Sequence, residues 1–85
     1  MPKERLKDKS GRTIGYVETA LNGVTKIYDA HNSRIGEIKP QGKQLIAYNK
    51  LNSKIAYWDQ TRDATFDKSG SKIGSGNLLV ALYFQ

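Results

Sequence analysis

Short runs of alternating apolar and polar residues cover this chain from Arg5 to Ser75, broken at near-regular intervals by turn-forming residues. Alternation with a period of two is what a strand shows when one face meets a core and the other meets water. The breaks share one pattern. Asp8, Asp29, Asn49 and Asp67 stand 21, 20 and 18 residues apart, and each is followed three places later by Gly11, Asn32, Asn52 or Gly70. An Asp or Asn opening a turn accepts a hydrogen bond from the backbone two residues on, and Gly or Asn accommodates the left-handed residue of a bulged hairpin turn. Four β-hairpins are therefore predicted within one domain, over about 5–19, 24–39, 44–59 and 63–76. Simple alternation from these turns sets Leu6, Ile27, Ala47 and Thr65 facing Ile14, Ile35, Ile55 and Ile73 as the core row. On the other face, Tyr28, Tyr48 and Phe66 fall opposite Arg34, Lys54 and Lys72, three aromatic–cation pairs.

The connections between hairpins are short. Asn22-Gly23 is a strong turn dipeptide, Pro40-Gln41-Gly42 reads as a type II turn, and Asp59–Asp63 forms the third connection. A further recurring position, Gly15, Gly36, Ala56 and Gly74, keeps the same three spacings as the turns. A small residue recurring inside strands marks a bulge, a sharp coil of the sheet or close approach of another element. Four of them suggest a shared axis or a place where the chain end docks. That end, Leu78–Phe84, is apolar on both alternation faces. It is expected to be a buried strand, threading the axis or pairing with another subunit, with a short helix capped by Asn77 as the rival.

The unit Tyr-Asp-x-x-Gly-x-x-Ile-Gly-x-Ile, taken with its variants from Leu6 to Phe84, resembles the four-fold β-flower proteins. Lys7, Asn49 and Ala56 depart from that pattern. The resemblance implies a pseudo-four-fold arrangement of β-hairpins; the expected fold is all-β, four repeated hairpins in a pseudo-four-fold meander or closed barrel-like arrangement, with the apolar C-terminal strand buried inside it or in an oligomer contact. It carries over no activity and no site residue.

Composition narrows the function further. The chain has 85 residues and no cysteine, and fourteen basic against eight acidic residues give a net charge of +6. So short a chain buries a thin core, for which oligomerisation is a natural supplement. No apolar run reaches membrane-spanning length, so no membrane partner and a cytoplasmic location are expected. The lone histidine, His31, sits in a hairpin turn with no second His and no Cys to join it on a metal. Asp8, Asp29 and Asp67 are explained by turn formation, since Asn49 fills the same place and cannot do acid–base work. Gly74-Ser75-Gly76-Asn77 lacks the lysine and helix of a phosphate loop. No enzyme, metal or cofactor is expected.

Two function classes follow. The first is a non-enzymatic binding or interaction module, self-associating as a homo-oligomer through Leu78, Val80, Leu82 and Phe84. Tyr57 and Trp58, which break the repeat symmetry, would anchor its ligand or partner, with Asp59 and Arg62 as polar neighbours. The second is nucleic-acid or other polyanion binding through Lys9, Arg12, Arg34, Lys50, Lys54, Lys68 and Lys72, which lie in or beside the four turns.

Overall fold

Eight strands succeed one another in the computed structural model, which describes residues 3–84. They are β1 (Glu4–Lys7), β2 (Thr13–Thr19), β3 (Thr25–Asp29), β4 (Arg34–Gln41), β5 (Gln44–Asn49), β6 (Lys54–Asp59), β7 (Ala64–Asp67) and β8 (Lys72–Ser75). Each pairs antiparallel with its sequence neighbours alone, giving one all-β meander sheet ordered β1 to β8. The sheet does not close into a barrel, which corrects that part of the expectation. Closure would need a ladder between β1 and β8, two four-residue strands, and the exposed Glu4, Arg5 and Lys7 on β1 are the kind of charged edge that discourages pairing.

The four predicted turns are built alike. In each, the Asp or Asn backbone N–H donates to the carbonyl four residues on at 2.9 Å, and its own carbonyl accepts from the Gly or Asn three residues on at 3.0 Å. Its Oδ1 also accepts from two turn N–H groups, as Asp29 does from His31 and Ser33 at 2.9 Å each. Asn32 and Asn52 hold the left-handed place with φ of 67° and 65°.

The core register differs from simple alternation by one residue. Leu6, Ile27, Ala47 and Thr65 face Gly15, Gly36, Ala56 and Gly74, and a second bulge in every hairpin leaves Ile14, Ile35, Ile55 or Ile73 as the extra residue. Tyr28, Tyr48 and Phe66 do lie opposite Arg34, Lys54 and Lys72. The expected type II turn is also displaced. Pro40 belongs to β4, opposite Leu45, and the loop is Gly42-Lys43. Pro40 is tolerated there because β3 ends opposite Ile38, so no neighbouring strand asks for the missing N–H.

The C-terminal segment is not the expected strand. It forms a single helical turn, α1 (Leu79–Leu82). Gly76, at φ 79°, turns the chain off β8 and back across one face of the sheet. A sheet face offers side chains rather than ladder partners, so an extended segment there would bury unpaired backbone groups. The helical turn satisfies its own, with Leu82 N–H donating to the Leu78 carbonyl and Tyr83 N–H to that of Val80, both at 3.2 Å. Asn77 Oδ1 accepts from Leu79 N–H at 3.1 Å. Thr65, wholly buried, clasps the entry: its hydroxyl donates to the Gly76 carbonyl at 2.7 Å and accepts from Leu78 N–H at 2.9 Å.

This inner face is the core. Ile27, Ile38, Ala47 and Ala56 cluster with the wholly buried Leu79, and Val17, Leu45, Trp58, Val80, Leu82, Tyr83 and Phe84 pack around them. The row of small residues receives the chain end. A Cβ on Gly15 would collide with the Phe84 ring, one on Gly36 with the Tyr83 ring, and one on Gly74 would lie 2.7 Å from Leu78 Cδ1. The Tyr83 hydroxyl stands 2.7 Å from the Tyr48 carbonyl oxygen and 3.1 Å from that of Glu37, so its one proton is shared between two strands.

Candidate functional site

Three groups of side chains were expected to carry function, and the sheet treats each differently. The Tyr57–Trp58 pair is divided. Neighbours on a strand point to opposite faces, and these two do so. Trp58 packs on the inner core and donates its indole N–H to Asp63 Oδ1 at 3.0 Å. Tyr57 lies on the outer face, stacked on Phe66 with ring centroids 5.3 Å apart. Asp59 and Arg62 join the outer group. Asp59 Oδ2 accepts from Arg62 at 3.3 Å, and the guanidinium lies 4.3 Å from the Phe66 ring centroid. The Asp59 carboxyl is held below its usual range by the Arg62 backbone N–H, with Gln44 and the Arg62 side chain contributing. Trp58 therefore serves the inner core while its three companions serve the outer face. Among the described residues no cavity separates them into a pocket.

The apolar chain end goes into this chain's own core. Leu78 and Phe84 meet Gly74 and Gly15, while Val80 and Leu82 pack on the central cluster. Burial, helped by the Glu37 carboxylate, pushes the Tyr83 hydroxyl up to about 12.

The seven turn cations fall at one end of the sheet. In a meander, alternate connections lie at the same end of the sheet, so the four hairpin turns share one end. Lys9, Arg12, Arg34, Lys50, Lys54, Lys68 and Lys72 are all exposed there or on the strand residue next to it. Asp8, Asp29 and Asp67 are occupied in turn bonds, and seven cations against three aspartates leave an excess of four positive charges. Arg34 alone of the seven has an ion pair among the described residues, to Glu37 Oε1 at 2.7 Å.

Arg34, Lys54 and Lys72 lead from that rim onto the outer face, where the sequence reading had missed several partners. Direct cross-strand pairing places Arg5, Tyr16, Tyr28 and Arg34 side by side on one face. Lys26, Glu37, Tyr48 and Lys54 continue it, and Lys39, Ile46, Tyr57, Phe66 and Lys72 complete it. Ammonium groups stand over the rings: Lys3 3.8 Å from the Tyr28 centroid, Lys39 5.3 Å from Tyr48 and Lys54 4.6 Å from Tyr57. Strand alternation could have put these residues on one face, but the pairing of Lys3 with Tyr28 needs the register of three strands. Burial and the neighbouring Glu18 carboxylate raise the Tyr28 hydroxyl above its ordinary value. His31 is exposed in its turn, and no three metal-binding groups cluster among the described residues.

Comparison with family models, with curated proteins and with solved structures finds no match.

Proposed function

We propose that this domain is a non-enzymatic binding module whose ligand is a polyanion, held on the basic end of the sheet. One observation carries the reading: the meander brings four hairpin turns to one end, and seven exposed cations with them. Their charge is largely unspent, since among the described residues Arg34 alone of the seven is ion-paired, and phosphates or sulfates recruit such groups by releasing counterions. The self-association expected of Leu78, Val80, Leu82 and Phe84 draws less support, because these side chains fill the sheet's own small-residue row and core.

The test is fluorescence anisotropy of labelled random-sequence DNA and of labelled heparin, each titrated with protein at low and at physiological salt. If about four phosphates are neutralised, the logarithm of the binding constant should fall with the logarithm of salt at a slope of about −3 for a single strand. Reversing Lys50 and Lys68 to Glu, two exposed turn residues outside the core, should abolish binding without altering the far-ultraviolet circular dichroism. Absence of binding to either polymer at low salt rejects the proposal.

A further inference from the structure

The outer face carries more than charge. Tyr16, Tyr28, Tyr48 and Tyr57 stand on β2, β3, β5 and β6, so a chain lying across the strands meets one ring after another. All four are half-buried. Over Tyr28, Tyr48 and Tyr57 one ring face is covered by an exposed lysine side chain rather than by the core. Phe66 differs: it is 7% exposed, covered by Arg62 and backed by Tyr57, so it supports its neighbour and offers no face.

We propose that the polyanion is single-stranded nucleic acid, laid across the outer face with bases stacked on these tyrosines and phosphates on the lysines beside them. This inference rests on the polyanion reading above and names its ligand. A duplex turns its phosphates outward and hides its base faces, so it would use the cations and leave the rings idle. A sulfated sugar or an acidic peptide would do the same. Stacking platforms interleaved with cations are what sequence-tolerant single-strand binding requires. The lysines make the exchange feasible. Lys3, Lys39 and Lys54 are exposed on long flexible side chains, and each can leave its ring for a phosphate as a base takes its place.

The face also has a direction. Across this face, Glu18, Glu37 and Asp59 are the acidic residues near the tyrosines, and Arg62 holds Asp59 at 3.3 Å. The other two are engaged as well, Glu18 by the Tyr28 hydroxyl at 3.3 Å and Glu37 by Arg34 at 2.7 Å. The cations continue from this face into the turn rim through Arg34, Lys54 and Lys72, which gives a strand longer than the tyrosine row somewhere to go.

The first comparison uses the unaltered chain. An oligonucleotide and its abasic counterpart of equal length and charge are titrated by anisotropy against the whole chain, beside the matching duplex and heparin. The base-bearing strand should bind roughly 5- to 150-fold tighter than the abasic one, the range expected from one stacked base. Tyr28→Leu and Tyr48→Leu, which keep apolar bulk on the sheet, should shrink that ratio toward one while leaving heparin binding unchanged. Equal affinity for the base-bearing and abasic strands, or tighter binding of the duplex or heparin, overturns the single-strand proposal and leaves the polyanion reading standing. Failure of every polymer to bind overturns both.

Discussion

Gly36→Ala should unfold this domain far more readily than Gly74→Ala, although both positions are the small residue of a hairpin. A Cβ at 36 would fall well inside van der Waals contact with the Tyr83 ring and with the Tyr48 backbone carbonyl. The ring can move only by giving up its hydroxyl bond, and the carbonyl belongs to the adjacent strand β5 and cannot move without the ladder. A Cβ at 74 meets the tip of the Leu78 side chain at 2.7 Å, a flexible group, and β8 is an edge strand with no further strand beyond it. Crowding of a packed site costs about 1–3 kcal/mol, and a lost buried hydrogen bond adds about 1 kcal/mol. Against these, replacing Gly by Ala restricts the unfolded chain and returns about 0.4–1 kcal/mol. The net for Gly36→Ala is a loss of about 1–3.5 kcal/mol, which in a domain of this size lowers Tm by roughly 5–25 °C. For Gly74→Ala the terms nearly cancel. Thermal and urea unfolding, followed by circular dichroism and by Trp58 fluorescence, measure both. Equal stability of the two variants, or a Gly36→Ala protein as stable as wild type, would refute the docking of the chain end on the small-residue row.

Leu79→Ala, which empties a wholly buried site on α1, should cost about 2–5 kcal/mol by urea unfolding; a loss below 1 kcal/mol would mean that α1 is not part of the core. Tyr83 gives a pH signature. Its hydroxyl ionises near 10 in the unfolded chain and is pushed up to about 12 in the fold, so the folded state holds the extra proton between those values. The corresponding stability, at most about 2–3 kcal/mol, is intact below pH 10 and lost as pH climbs through 12. Tyr83→Phe should be less stable than wild type at neutral pH yet lose less between pH 10 and 12, and parallel pH curves for the two proteins would contradict the burial of this hydroxyl. Asp29→Ala removes the acceptor of two turn N–H groups and should destabilise by about 1–2 kcal/mol. Asp29→Asn should be close to neutral, because Asn49 makes the same two bonds at 2.9 and 3.0 Å. Equal loss in both variants, by thermal melting, would assign the effect to charge rather than to turn geometry.

What could be read from the chain alone was local. Asp or Asn followed three places later by Gly or Asn is hairpin chemistry acting within five residues, and the structure has a turn of that build at all four places. Strand alternation, also local, put aromatic residues opposite Arg34, Lys54 and Lys72. Part of the candidate site was legible for the same reason, since turn spacing alone gathers the seven cations in an antiparallel meander. The tertiary structure decided the rest. The second bulge moved each core partner from Ile to the Gly or Ala beside it, because a bulge adds a residue without changing composition or alternation. The ring beneath Lys3 depends on Tyr28 of β3, a strand that no single turn joins to the start of β1. The C-terminal segment shows the limit most plainly. By pattern Leu78–Phe84 reads as a buried strand, with a short helix only as the rival. The choice fell to α1 because the inner face has no free ladder, and a chain crossing it must satisfy its own backbone hydrogen bonds.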